Sequence, residues 1–193
     1  MRAVMLGGGI GCSRLAVPLA RALGRGRLTL VVNTADDLWR YGLRVCPDLD
    51  TNVYRLSGLG DRKRGWGVAG DTFETMDQLA HLGLDPWFRL GDRDLAMHLA
   101  RTAALAEGSA LSEFTLALSQ RMDLGVDLIP MTDDEVATRV HTRTGVLGFQ
   151  EWFVRERAAI PVDAVSYEGI EQARTAPGVL EAIAAADLVV LGP

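Results

Sequence analysis

Lysine is almost missing from this 193-residue chain: nineteen of its twenty basic residues are arginine, and Lys63 stands alone. That skew reflects a GC-rich genome more than chemistry. Cysteine is nearly as scarce. Cys12 and Cys46 have no CxxC spacing and no histidine at ligand distance in sequence, which excludes a zinc framework or a disulfide scaffold and suits reduced thiols in a cytoplasmic protein. No apolar run approaches the roughly eighteen residues that a membrane span needs. The opening MRAVMLGGGIG has neither an apolar signal core nor a cleavage site. Basic excess is also absent: the net charge is -5 and the pI is near 5.2. Nucleic acid and anionic membranes are therefore not expected partners. A polyanionic ligand would have to be held locally, by backbone N–H groups, a metal or a few arginines. No Ser/His/Asp arrangement and no cysteine with a partner histidine stands out, so covalent catalysis has no support.

What is present opens as a nucleotide-binding unit. With 48% hydrophobic residues, the chain can bury one sizeable core. Residues 2–6 read as a strand, Gly7-Gly8-Gly9-Ile10-Gly11 as a glycine turn, and the next stretch to Leu23 as a helix with Leu15, Leu19, Ala22 and Leu23 on one face. Leu28 to Val32 is the second strand. The expected fold is α/β: a Rossmann-like, doubly wound, mostly parallel sheet in a single domain over 1–193, with an inserted helical layer over about 71–125. Glycines in the first turn allow close approach of a phosphate, and a helix N-terminus supplies free N–H groups. The dinucleotide fingerprint is broken, because Cys12 stands where its third glycine belongs and Asn33 where a ribose-binding acid belongs.

Just past the second strand come four carboxylates, Asp36, Asp37, Asp48 and Asp50, with Trp39, Tyr41, Gly42 and Pro47 between the pairs. Aspartate gathers in loops and caps. A single one would be a turn residue. Two pairs beside a glycine turn suit Mg²⁺, which takes one or two carboxylates together with substrate phosphates.

Further on, Thr51 to Ser57 reads as a short helix in continuation of the acidic loop. Asp61 to Gly67 reads as a compact basic and aromatic loop, either a solvated turn or a clamp for an anionic or flat ligand. Asp71 and Glu74 form a capping box for a helix through His81, and Asp92 caps a helix from Arg93 to Glu107. On that helix Leu95, Leu99, Ala103 and Ala106 share the face expected to pack the core, with His98 and Asp94 as a surface pair. A third helix covers Ser112 to Met122. Asp127 to Met131 is a short strand, and Thr132 to Glu135 a capped turn. Val136 to Thr142 opens a hairpin that turns at Thr144-Gly145. Phe149 to Arg155 reads as a helix start or pocket wall. A strand over Val162–Tyr167, a helix over Pro177–Ala186 and a core strand over Leu188–Leu191 complete the chain. A doubly wound domain rarely stops on such a strand, which reads as a C-terminally truncated product.

Six segments carry a more specific signal: VVNTADDLWRYGL with CPDLDT, RGWG with DTFETM, LGDRDLAMHLAR, IPMTDDEVAT, FQEWFVRER and ADLVVLGP. In this order and spacing the chain resembles the 2-phospho-L-lactate transferases of coenzyme F420 biosynthesis over essentially its whole length. Members of that family continue well beyond the GP that ends this chain. The resemblance implies transfer of a phospho-three-carbon acid (2-phospholactate or phosphoenolpyruvate) from its guanosine-diphosphate-activated form to the ribityl hydroxyl of the deazaflavin Fo, with release of GMP and a requirement for Mg²⁺. It implies Asp50 and Arg89 at Fo, Asp36 and Asp48 at magnesium and the diphosphate, and Gly8, Gly9 and Gly11, with Asn33, at the nucleotide. Asp36, Asp37 and Asp50 are the catalytic candidates, with Asp37 or Asp50 orienting or deprotonating the hydroxyl. Oligomeric state stays open, with a homodimer as one option.

Two other classes compete. A non-enzymatic regulator resembling the gluconeogenesis factor would bind a nucleotide-sugar through a similar glycine turn, but such proteins lack the CPDLDT and GDRDLA pair. A nicotinamide-dependent oxidoreductase rests on the glycine turn alone, and Cys12 and Asn33 count against it.

Overall fold

A computed structural model describes residues 1–193. At its centre lies a four-stranded, all-parallel sheet formed by β1 (Ala3–Gly7), β2 (Leu28–Val32), β5 (Asp127–Pro130) and β9 (Leu188–Leu191), in the order β5-β2-β1-β9. Met5 is in register with Leu30 on one side and Val190 on the other. Alternation sends Ala3, Met5, Leu28, Leu30, Val32 and Leu128 to one face, where they pack with Cys12 and Ala16 of α1 (Gly9–Leu23) and with residues of α2 (Pro47–Leu56) and α5 (Leu111–Arg121). Val4 and Val31 face the other way, onto Val179 of α6 (Val179–Ala184). Because β2 and β9 lie on opposite sides of β1, the strand order switches sides beside the glycine turn, where ligands bind in open α/β sheets.

The expected core strand at the end is only half a core strand. β9 is an edge paired solely with β1, and Leu188, Val189 and Leu191 are exposed, with Leu191 at 78%. Val190 alone packs against the main core.

Beyond the central sheet, β3 (Leu38–Arg40) and β4 (Leu43–Val45) form a hairpin whose two-residue turn, Tyr41-Gly42, has positive φ at both positions (53° and 76°). That is the turn whose twist suits a hairpin. Tyr41 tolerates it because its hydroxyl donates to the Asp85 carbonyl (2.9 Å) and its ring lies under the Arg40 guanidinium. A separate antiparallel sheet, β7-β6-β8, comprises β6 (Ala137–Thr142), β7 (Gly145–Gly148) and β8 (Ala164–Glu168). It docks on the loop after β2 through the Thr138 N–H to the Ala35 carbonyl, 2.7 Å. Glu151–Arg155 then forms a π-helical turn with Phe149 stacked on Phe153.

Three expectations change in the helical region. Asp48 and Asp50 are not loop residues: α2 begins at Pro47, four positions early, and both carboxylates sit in its first turn. Proline at the first helical position and acids beside the positive dipole end explain the early start. Secondly, α3 (Glu74–His81) and α4 (Asp92–Ala106) exchange caps. Asp92 accepts the N–H groups of Glu74 and Thr75 at the start of α3, and Asp71 accepts those of Arg93 and Asp94 at the start of α4. Neither acid caps the helix that follows it in sequence, because the free N–H groups it can reach belong to the neighbour. Gly91 permits this: a Cβ there would stand 2.1 Å from Asp71 Oδ2. The third change is the buried face of α4. Leu99 is 57% exposed, and the buried residues are Asp94, His98 and Arg101. They meet polar partners on α2, so ion pairs fill the most buried stripe of the helix, while Leu95 and Leu105 pack half-buried beside it.

Candidate active site

The organising side chain at the carboxyl edge of the sheet is Asn33, the residue that breaks the apolar run of β2. Its Nδ2 donates to Asp36 Oδ2 (2.9 Å) and to Asp48 Oδ2 (3.1 Å), while its Oδ1 accepts the Ala35 N–H (3.1 Å). One amide thus holds together carboxylates that are twelve residues apart, one in the turn after β2 and one in the first turn of α2. Asp48 also lies against the glycine turn: a Cβ on Gly8 would sit 2.1 Å from its Oδ2. Only glycine permits that approach. Gly11, in the first turn of α1, faces Pro193, with the carbonyl oxygen 2.9 Å from where a Cβ would be. The ends of β1, β2 and β9 therefore meet at one crevice.

The electrostatics of this pair are unusual. Burial pushes Asp48 up to about 6; the Asn33 bond opposes this, and the charges of Asp36 and Asp50 add to it. Burial also raises Asp36, against hydrogen bonds from Thr138 and Asn33. The neighbouring buried acids each have a cation, Arg44 for Asp37 and Arg101 for Asp50. Asp36 and Asp48 have an amide between them and no ion-pair partner. Two converging, partly desolvated carboxylates of this kind fit a hard divalent cation that keeps room for phosphate oxygens.

Asp37 points elsewhere. Its side chain is 1% exposed and pairs with Arg44 at 3.2 Å, and burial raises it to about 7 against the pull of Arg44 and a bond from Cys46. Its Oδ1 has no partner. Asp36 and Asp37 both border a cleft of about 510 Å³ between the β3–β4 hairpin and the second sheet, walled by Trp39, Trp87 and Phe149 and by Arg40, Arg44 and Arg139. Arg40 is held in place between the Tyr41 and Trp87 rings (4.4 and 5.0 Å). A larger groove of about 1010 Å³ runs along the opposite edge of the sheet, and none of its lining residues carries a buried polar atom without a partner. Of the candidate aspartates, Asp36 and Asp37 line the smaller cleft, and Asp36 joins it to the Asn33–Asp48 bridge.

Asp50 and Arg89 are not brought together. Asp50 is 4% exposed and forms a two-point ion pair with Arg101. Arg89 is exposed, pairs with Asp77 at 2.8 Å and lies over the Phe73 ring. Asp50, Asp94 and His98 have ligand atoms within 4.8 Å of one another. With Arg101 already on Asp50, that cluster has its cation. Sequence reading missed Thr138 and Gln150, whose Nε2 donates to the Asp36 carbonyl (3.1 Å), along with Arg44, Arg101 and Trp87. Thr138 closes the IPMTDDEVAT segment and Gln150 lies in FQEWFVRER, so the family motifs were the signal, but only the folding of the second sheet over the loop after β2 gives them a partner.

Fold and crevice together define a Rossmann-like α/β protein with a glycine turn and a paired-carboxylate site at one sheet edge. The chain belongs to the 2-phospho-L-lactate transferase (CofD) family, whose model matches residues 3–193. It is similar to the phosphoenolpyruvate transferases of Streptomyces avermitilis (48% identity, all of this chain and 62% of that protein) and Thermobifida fusca (45%, all of this chain and 64%). The chain thus spans somewhat less than two thirds of the length of these relatives. Among solved structures, a UPF0052-family protein from Bacillus halodurans, BH3568, shares the fold, with a TM-score of 0.63 and 18% identity over all of this chain and 58% of that one.

Proposed function

We propose that the protein transfers a phospho-three-carbon acid, phosphoenolpyruvate or 2-phospholactate, from a guanosine-diphosphate-activated donor to the terminal ribityl hydroxyl of Fo. The observation that carries this reading is the Asp36–Asn33–Asp48 bridge against Gly8: two carboxylates without a cation, at the place where a glycine turn receives phosphates. In the transfer, the hydroxyl oxygen forms a bond to the phosphorus bearing the three-carbon acid, the bridging P–O bond breaks, and GMP leaves with the electron pair.

In this reading Gly8, Gly9 and Gly11 line the donor diphosphate, and Asn33 fixes the separation of the two carboxylates. Asp36 and Asp48 would hold Mg²⁺, which supplies charge neutralisation at the diphosphate when bound. The cleft bounded by Trp39, Trp87 and Phe149 has the flat, aromatic walls that a deazaflavin ring stacks on. Asp37 borders that cleft, but its carboxylate is 1% exposed and paired with Arg44, so it takes the hydroxyl proton only in a state in which that pair opens towards the cleft. Asp50 and Arg89 are the Fo contacts that the family resemblance implies, Asp50 from within its pair with Arg101 and Arg89 from the exposed surface beside Phe73. The competing reading, a nucleotide-sugar-binding regulator, has less support, because relatives at 42–48% identity over the whole chain carry transferase names.

The test is a titration with Fo followed by its own fluorescence, with and without Mg²⁺ and GDP. Saturable binding weakened at least about tenfold by Trp87→Ala supports the reading. No binding, by this chain or by a longer family member carrying the same residues, would remove it.

A further inference from the structure

Arg101 is one of the largest fully buried side chains in the molecule, at 1% exposure, and it closes the LGDRDLAMHLAR segment without having been given a role by the sequence. A guanidinium so placed needs every hydrogen bond it can make. Its Nη2 and Nη1 both reach the Asp50 carboxylate, and Nη1 also donates to the Arg44 carbonyl at 3.1 Å. Asp50 lies in the first turn of α2, two residues after Asp48. Arg44 lies in β4, and its own guanidinium pairs with Asp37. One side chain on α4 is therefore fastened to both acidic segments.

The grip extends along the helices. Asp50 and Tyr54 are one turn apart on α2, and Asp94, His98 and Arg101 line a single stripe on α4. The Tyr54 hydroxyl donates to Asp94 Oδ1 at 2.6 Å, and the His98 ring stands between Asp94 (3.3 Å) and Asp50 (3.6 Å). A second link runs beside Arg101: Thr102 Oγ1 accepts the Arg44 N–H at 2.8 Å. From this we infer that Arg101 is a positioning residue. It fixes the first turn of α2 relative to β4, and so sets Asp48, at the donor end, against Asp37, at the acceptor cleft. The inference rests on the transferase reading only for its effect on turnover; its geometric content is the placement of the first turn of α2, and so of Asp48, relative to β4.

The experiment uses two full-chain variants and Mn²⁺ as the metal probe, read by the electron paramagnetic resonance of free Mn²⁺. Arg101→Lys keeps the charge but cannot reach Asp50 and the Arg44 carbonyl together. Asp50→Asn with Arg101→Met removes both charges of the buried pair, a change that folds better than breaking the pair from one side. Mn²⁺ affinity is expected to fall about tenfold in each. Hydrogen exchange should quicken at the amides of 43–51 and stay unchanged in β1 and β2. If the donor and Fo are turned over, kcat of Arg101→Lys should fall at least about tenfold in protein that is fully folded by circular dichroism. Should Arg101→Lys not fold, the double variant carries the Mn²⁺ measurement alone. Mn²⁺ affinity within about twofold of the parent in the folded variants overturns the inference, because a merely structural arginine would lower stability without moving Asp48. If the unaltered protein shows no transfer to Fo, the functional reading fails on its own, and the Mn²⁺ and exchange results still decide the role of Arg101.

Discussion

Replacing Asp48 with asparagine should stabilise the metal-free protein. Burial raises the Asp48 carboxyl from 3.8 to about 6, so the folded state binds a proton more readily than the unfolded chain does. For an acid shifted in that direction, the charged form is penalised by folding. The penalty is absent below the unfolded value, builds between about pH 4 and pH 6, and is complete above the folded value. A shift of about two units corresponds to a ceiling of about 3 kcal/mol at pH 8. Asparagine removes that penalty but cannot accept from both Asn33 Nδ2 and the Gly9 N–H, which costs about 1 kcal/mol. The net gain is about 2 kcal/mol, or a rise in Tm of about 4–8 °C for a chain of this size. Thermal unfolding in a chelating buffer reads it directly. Asp48→Asn should melt above the parent at pH 8 and about level with it at pH 4.5, where the remaining penalty of about 1 kcal/mol offsets the lost bond. Adding Mg²⁺ should then raise the parent's Tm and leave the variant's unchanged. A variant destabilised equally at both pH values would refute the reasoning, since it would show Asp48 to be an ordinary hydrogen-bonded side chain rather than a carboxylate lacking its cation.

Three further outcomes follow from the same geometry. Asp36→Asn should lose most turnover while Fo affinity, read by fluorescence, stays within about threefold; near-normal turnover would remove Asp36 from the metal. Gly8→Ala places a methyl group 2.1 Å from Asp48 Oδ2, so Mn²⁺ affinity should drop at least about tenfold, and an unchanged affinity would mean that Asp48 is not needed where it stands. Asp92→Ala should lower Tm and speed hydrogen exchange at Glu74 and Thr75, the amides that it caps, whereas unaltered exchange there would show that the crossed cap carries no load.

The sheet was legible because its signals are local. Strand, glycine turn, helix and second strand follow one another within 32 residues, and each is set by hydropathy period or by backbone freedom. The carboxyl-edge clustering of Gly8, Asn33 and Asp36 followed from that order. What stayed hidden depends on partners distant in sequence. The leucine face of α4 predicted a hydrophobic contact, and only the arrival of α2 and β4 shows that Arg101, not Leu99, points inward. Thr138 and Gln150 lie in family motifs, but their contact with Asp36 exists only once the second sheet is laid across the loop after β2. The caps of α3 and α4 were recognised as capping residues by type, but type does not say whose amides a carboxylate will find.

That exchange of caps makes α3 and α4 interdependent. Each helix lacks a side-chain cap of its own until the other's leading residues are in place, so neither start can fray alone without releasing amides on its neighbour. The two should open and close as one cooperative unit, exchanging amide hydrogens at a shared rate. A substitution tolerated at Asp71 or Asp92 in isolation would then have to be matched across the pair. The segment from Asp71 to Asp94 would drift in sequence as a block, with Gly91 as the position that keeps the two halves close enough to trade.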